Sequence, residues 1–337
     1  MEMKKSLDGL TILRCVFAIY VFIFHIGING GAKVDGILES IRNNGAVSMS
    51  FFFLLSGFVL AYAYDGKDIC YRDFISKRIK RIYPAYILFG LVTLPQLLVK
   101  PVLEAASSLL LFSTATQAWV YQSLPSWGFS GSWTVSVEMF FYFVFPLLLP
   151  IIKDNIKLSL ALSFVFASAL IPISEVYSID FSPIRSIYYS TPIYRLPEFI
   201  FGVGIGLAFN RGYRVGMPAM LLGALVLLSA LSTDNNYGFM AYNVLFIPSI
   251  SLIIIYFAGV NINKNYITRP LIYFGSMSYS FYLMQVAIFV WIDSNEYLKG
   301  YFYNGSGWAS LILLTVFSSV ICHELTEGKL YKLIKTL

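Results

Sequence analysis

Residues 10–30 read LTILRCVFAIYVFIFHIGING, an apolar run long enough to cross a bilayer that nonetheless carries Arg14 and His25. A helix rises about 1.5 Å and turns about 100° per residue, so eleven residues return to nearly the same face roughly 16 Å further along the axis. The spacing therefore predicts that the cation and the imidazole point the same way, into the interior of a helix bundle. Ionisable groups inside a membrane are costly, and they usually face a polar cavity or mark a pathway. A structural account also fits these two residues taken alone: an Arg14 that extends toward the headgroups, and a hydrogen-bonded His25. His25 is one of only two histidines in 337 residues, which leaves few imidazoles for any chemistry.

The rest of the chain resembles this stretch. Hydrophobic residues make up 58% and charged residues 12%, which points to an all-α integral membrane protein with no separate soluble domain. A span needs about 20 apolar residues, with about 17 to 25 tolerated. By that rule ten transmembrane helices are expected, at 8–29, 45–64, 82–98, 133–152, 157–174, 194–210, 216–231, 239–259, 273–293 and 307–325, as one domain over 1–337. The apolar segment Val102 to Phe112 is too short to cross and reads as an interfacial or re-entrant helix. The first apolar run lacks a small-residue cleavage site, so it is expected to stay as a span. With the N-terminus in the cytoplasm, seventeen Lys and Arg residues fall in inside segments and five outside, a bias that supports this topology with both ends cytoplasmic. The formal charge of +6 then follows from topology and calls for no nucleic-acid partner. Cys15, Cys70 and Cys322 are far apart and form no disulfide framework, and two histidines without clustered cysteines argue against a metal.

Four further stretches carry candidate chemistry. The first inside loop reads YRDFISKRIKRIY over 71–83, with Arg78 and Arg81 one turn apart before a span expected to begin at Pro84. Such a cluster is an anionic-lipid anchor or a fork for phosphates, which planar guanidinium groups bind in bidentate fashion. In FFFLLSGFVLAY, residues 51–62, Ser56 and Gly57 are a helix-packing notch or room for a ligand. The long outside stretch from Lys100 to Ser132 holds Trp119, Tyr121, Trp127 and Phe129 beside Ser130, Gly131, Ser132 and Trp133. These aromatics suit the interfacial belt, and also stacking against sugar rings. SGSWTVSVEMFFYFVFPLLLP, residues 130–150, then puts Glu138 one turn into the fourth span with Tyr142 on the same face, and a carboxylate there needs a cation or a hydroxyl donor. Arg195 and Glu198 stand at i, i+3 spacing and are expected to pair with each other. His323 and Glu324 close the last span, where a histidine fits the interface without a function, and Trp308 is belt material.

In this order the stretches resemble the type-3 membrane acyltransferases, the ten-span family that acylates sugars on bacterial envelope polymers. The resemblance rests on LTILRCVFAIYVFIFH, FFFLLSGFVLAY, RDFISKRIKRIYPAY, SGSWTVSVEMFFYFVFPLLL, YRLPEFIFGVGIG and GSMSYSFYLMQ, which together cover nearly the whole chain. It implies that Arg14 and His25 are the functional pair, that Arg78 and Arg81 serve an acyl-CoA donor, acetyl-CoA foremost, and that Glu138 belongs to the active cavity. A carbohydrate acceptor is then expected against Ser130, Ser132, Trp133 and Tyr142, and the protein in the bacterial inner membrane. Three positions depart from the family pattern. Gln285 stands where many members have His, Glu327 is followed by Gly328 and Lys329 rather than by a proline two residues on, and Asp8 lies further upstream of Arg14 than usual. The first departure concentrates the mechanism on His25.

Acyl transfer to a sugar hydroxyl calls for a general base, and an imidazole titrates near neutrality. Arg14 would supply positive potential to donor phosphates or to the developing oxyanion. Glu138 would orient His25 or accept a substrate hydroxyl. The Arg14–His25 separation is comparable to an extended pantetheine arm, so the nucleotide end is pictured near Arg78 and Arg81 with the thioester toward His25. Two rivals share the composition: a transporter whose Arg14, His25 and Glu138 line a permeation path, and a flippase-like partner in glycan export. The topology makes a direct prediction. Cysteine probes placed at Lys33, Ser123 and Lys299 should label from the periplasm and probes at Lys67 and Lys264 should not; a labelled Lys67 in intact cells would overturn the ten-helix map.

Overall fold

The computed structural model describes residues 6–28, 35–120, 127, 129–176, 189–233, 243–303 and 307–329. The probe positions Lys33 and Ser123 lie outside the described residues, as does the side chain of Ser130. Among the described residues every regular element is helical. Among the described residues, by length and apolar composition, six helices can cross a membrane, or seven if one bent pair counts as a single span, and four shorter apolar helices accompany them. Backbone groups in lipid must be satisfied within the segment, which is why such a composition resolves into helices.

Helix α1, Asp8–Ile28, is packed from several sides. A side chain at Gly9 would run into the carbonyl of Phe257, and one at Gly275 into the carbonyl of Thr11, so two neighbouring helices approach its backbone closely. Phe17 stacks on Phe51 at 3.9 Å and Phe22 meets Phe281 edge-on at 5.3 Å. Val16, Ile19 and Ile23, spaced by three and four residues, remain on the surface as the apolar face. Arg14 and His25 sit on the inward side, as the helical spacing predicts.

Helix α2, Ile37–Asn43, is a short element between the first two expected spans. Asn44 follows it and donates from its amide to the carbonyls of Ser40, Leu231 and Thr233, which ties the loop to a distant helix end. Helix α3, Ser48–Tyr64, contains the Ser56-Gly57 notch. Helix α4 runs from Tyr71 to Leu98, so the basic stretch is helical and Pro84 lies inside the helix instead of opening it. A proline forfeits one backbone hydrogen bond and clashes with the preceding turn, which makes it a natural place to expect a boundary. The surrounding apolar packing of Ile82, Ala85 and Tyr86, all buried, carries the helix through.

Helix α5, Val102–Thr114, is the short apolar segment expected within the outside stretch, and α6, Phe129–Asp154, carries the candidate carboxylate. Helices α7, Ile156–Val176, α8, Pro192–Asn210, α9, Met217–Leu231, and α10, Asn243–Gly259, follow in turn. The ninth expected span is broken. Helices α11, Thr268–Ser276, and α12, Ser278–Asp293, meet at Met277 with a bend of 65°. After the short α13, Glu296–Phe302, helix α14, Gly307–His323, gives way to a π-helical turn over Glu324–Lys329.

The closest helix pair is α3 with α8. A Cβ at Gly57 would collide with the Phe199 carbonyl, one at Gly202 with the Leu54 carbonyl and one at Gly206 with Phe58 and Ala61. Gly202 and Gly206 are four apart, the small-residue spacing that lets helices approach in lipid. The notch thus serves packing on its Gly57 side. Arg195 of α8 pairs with Glu198 at 3.1 Å, both fully buried, as their spacing predicts, and also donates to the Ser50 hydroxyl at 3.2 Å. At the other end of these helices Asp65 binds Lys153 at 2.9 Å and accepts from Asn210 at 3.2 Å. Gly202→Leu should destabilise the detergent-solubilised protein, since overpacking a close contact costs about 1–3 kcal/mol. Gly300→Ala, where a Cβ meets open space, should leave the thermal midpoint unchanged or slightly raised.

Candidate functional site

Two cavities lie side by side within the bundle. The first encloses about 1000 Å³ of empty space, part of it open to solvent, and Arg14, Arg78, Arg81, Glu138 and Glu327 all line it. Four elements supply these groups: α1, α4, α6 and the π-helical turn. Arg81 is exposed and marks the mouth, whereas Arg14 and Glu138 are half-buried. Arg14 lies within electrostatic range of Arg81, Glu327 and Glu138. Glu138 in turn faces Arg81 and Arg14, with Tyr142 as its hydroxyl neighbour. Three guanidinium groups against two carboxylates give the cavity a formal excess of one positive charge, in low-dielectric surroundings where it acts strongly on an anion.

The two arginines of the basic stretch are not equivalent. Arg78 donates to the Tyr64 hydroxyl at 3.2 Å, and its guanidinium lies over the rings of Phe74, Tyr64 and Tyr142 at 5.2, 5.6 and 5.7 Å. Such a cage fixes the group through cation–π attraction and packing. Arg81 has the exposure that a docking anion needs. Ser56 lines the cavity from α3 and neighbours Tyr142, while Gly57 is the packing notch.

The second cavity, of about 610 Å³ of empty space, holds His25. Its wall is aromatic: Phe24, Trp133, Tyr189 and Tyr282 line it, with Asn43 from α2. His25 sits against the rings of Phe24 and Phe289 at 5.5 and 6.0 Å, and Gln285 is the polar side chain set beside it. The position at which Gln replaces the family's common His is therefore spatially next to His25. Trp133 packs on Tyr189 at 4.6 Å and against Phe53 at 6.1 Å.

The sequence-predicted residues divide accordingly. Arg14, Arg78, Arg81, Glu138 and Tyr142 come together in one cavity, while His25 and Trp133 line the other. Glu138 accordingly faces the arginines and does not line the His25 cavity. Ser132 lines neither: it is fully buried, where Gln117 donates to its carbonyl at 2.6 Å and to its hydroxyl at 2.8 Å. Gln117 also donates to Tyr86, whose hydroxyl reaches the Phe112 carbonyl at 2.9 Å, so Ser132 anchors the start of α6 to α4 and α5. Trp127 adds an indole N–H to the Thr93 carbonyl at 2.9 Å. Part of the aromatic outside stretch is thus a plug holding the helix that carries Glu138.

Glu327, at a position of the family pattern but with no role expected of it, also lines the cationic cavity. It accepts from Ser280 at 2.6 Å and lies 3.3 Å from the His323 Nδ1, four residues earlier. That i, i+4 spacing was visible, but the expectation that the helix simply ends there hid it. The π-helical turn at 324–329 widens the backbone spiral, a feature frequent at functional sites. Tyr282 was part of the quoted GSMSYSFYLMQ stretch without a stated role, and it lines both cavities.

Residues 7–324 match the family model described as the acyltransferase domain. Among curated relatives, "Acyltransferase MdmB" of Streptomyces mycarofaciens is 29% identical over 244 residues, 66% of this chain and 62% of that protein. "Putative peptidoglycan O-acetyltransferase YrhL" of Bacillus subtilis (strain 168) is 26% identical over 328 residues, 85% of this chain and 49% of that protein. "O-acetyl transferase" of Shigella phage Sf6 is 24% identical over 241 residues, 67% of this chain and 68% of that protein. The chain thus spans 62% and 49% of the lengths of the first two relatives. No solved structure matches it. A family match over nearly the whole of a multi-helix membrane chain establishes that this protein belongs to the type-3 acyltransferase family.

Proposed function

We propose that this protein is a membrane O-acyltransferase that moves a short acyl group, acetyl foremost, from acyl-CoA to a sugar hydroxyl of a cell-envelope polysaccharide or its lipid-linked precursor. The observation that carries the reading is the pairing of two cavities, one cationic and open at Arg81, the other aromatic and holding His25. Family membership favours this enzyme over a transporter, and two relatives whose names specify O-acetyl transfer support acetyl.

In this reading the donor phosphates dock at Arg81 and Arg14, with the caged Arg78 adding fixed positive potential. His25 takes the proton of the acceptor hydroxyl as its oxygen attacks the thioester carbon. The C–O bond forms, the C–S bond breaks, and the departing thiolate receives a proton, so that an ester and a free thiol result. Trp133 and Tyr189 offer ring faces to a sugar. Tyr142 and Glu138 hold the cationic cavity in shape, and Ser130 and Ser132 sit at the start of the helix that carries them. The single domain over 1–337 is read as ten crossings of the bacterial inner membrane with both ends cytoplasmic. The six long helices, the bent α11–α12 pair and three of the four shorter apolar helices support that count, with α5 left interfacial. The cationic mouth then faces the side on which coenzyme A is made.

Two sets of variants test the reading. His25→Ala should abolish transfer in protein that still reaches the membrane, since a positioned base contributes roughly 10²- to 10⁴-fold. His25→Gln keeps size and some hydrogen bonding but takes no proton at neutral pH, and should be nearly as inactive. A fully active His25→Gln protein, judged by the mass of its acylated glycan, would end the general-base role. Arg81→Ala should raise the acyl-CoA concentration for half-maximal transfer more than it lowers the saturated rate, with normal protein abundance. Arg78→Ala should lower abundance as well, because it also removes the core of an aromatic cage.

A further inference from the structure

Met49 and Tyr282 line both cavities and are the wall between the cationic one and the one that holds His25. Met49 stands at the start of α3 and is 4% exposed, within the core. Tyr282 comes from α12, downstream of the 65° bend, and has Thr134 of α6 as a polar neighbour. Arg14 lies on one side of this pair and His25 on the other, although both belong to the same face of α1. A thioester whose phosphates rest among the arginines therefore reaches His25 by bringing its acyl end between Met49 and Tyr282.

We propose that Met49 and Tyr282 form an acyl gate that sets the chain length the enzyme transfers; this rests on the acyl-CoA reading above. The two side chains differ in kind. Tyr282 is a flat ring with few rotatable bonds, which makes it the fixed jamb. Met49 is unbranched and adapts its shape, so it yields to a short acyl group and then packs around the arm that follows it. Closure also keeps water of the open cationic cavity away from the thioester carbon, where hydrolysis would compete with transfer. Bond changes at the carbon are those already stated: the sugar oxygen adds, the thiol leaves, and no other reactant enters.

The test uses membrane vesicles carrying the full-length chain, with their own envelope glycans as acceptors. Acetyl-CoA, butyryl-CoA and hexanoyl-CoA are offered separately and glycan esters are measured by mass spectrometry. A methylene that a tight apolar site must accept or refuse is worth roughly 10- to 200-fold in discrimination. The wild type should strongly prefer acetyl. Met49→Ala should raise the butyryl-to-acetyl ratio by about tenfold or more, and Met49→Phe should shift it the other way. Because the readout is a ratio within one protein, it does not depend on how much of a variant reaches the membrane. A wild-type enzyme that transfers acetyl, with both variants keeping its ratio, overturns the gate while leaving the acyltransferase reading intact. A wild type that uses none of the three thioesters overturns the donor assignment, and the gate falls with it.

Discussion

Placing charge inside an apolar bundle is the constraint on which the rest of this structure depends. Arg14, Arg78 and Arg81 are all drawn to one cavity, and each would be prohibitively placed alone in hydrocarbon. The bundle answers with Glu138 from α6 and Glu327 from the end of the last helix, and with aromatic faces around Arg78. Five side chains from four distant segments must therefore converge. That requirement explains why α1 is held so tightly, with glycines at positions 9 and 275 admitting neighbouring backbones. It also explains why the α3–α8 seam is closed by glycines: Gly57 and Gly202 bring α3 inward, where its Ser56 meets the cavity.

Much of this was legible beforehand, for identifiable reasons. Helical periodicity depends only on residue spacing, so Arg14 and His25 were correctly placed on one inward face, and Arg195 with Glu198 as a buried pair. Local rules fared worse where tertiary packing overrides them. Pro84 marks a break in a helix judged by itself, yet α4 passes through it because buried Ile82, Ala85 and Tyr86 hold both sides. The reverse happened at Met277: the expected span 273–293 runs straight through Gly275-Ser276 and Ser278, and the helix bends there by 65°. Spacing gave Glu138 its neighbour Tyr142, but it could give neither Arg14 to Glu138 nor Gln117 to Ser132, because those partners arrive from other segments.

The separation of cation and imidazole into adjoining cavities has a chemical logic under the proposed function. A phosphate-binding site gains from positive potential and access to water, because its ligand must arrive hydrated. The acceptor and its base gain from shelter, because water there would compete with the sugar for the thioester. Beside a cluster of guanidinium groups an imidazole would also compete with the donor for space. Eleven residues along α1 move it about 16 Å away while keeping it on the same face. There its neighbours are rings and one amide, Gln285, which offers a hydrogen bond without a second charge.

That choice of amide bears on how the His25 site works. An imidazole at this position would give His25 a partner able to take or share a proton, and the pair would then titrate together. Gln285 cannot change its charge, so any proton removed from an acceptor hydroxyl resides on His25 alone. Ring orientation must then be fixed by packing against Phe24 and Phe289 and by the adjacent amide, not by a carboxylate. Glu138, expected from the resemblance to share the active cavity and there to orient His25 or accept a substrate hydroxyl, faces the arginines. Under the proposed function the two carboxylates of the site balance the cations that would hold the donor, and the base would stand among rings and one amide, from where its proton passes to the departing thiolate.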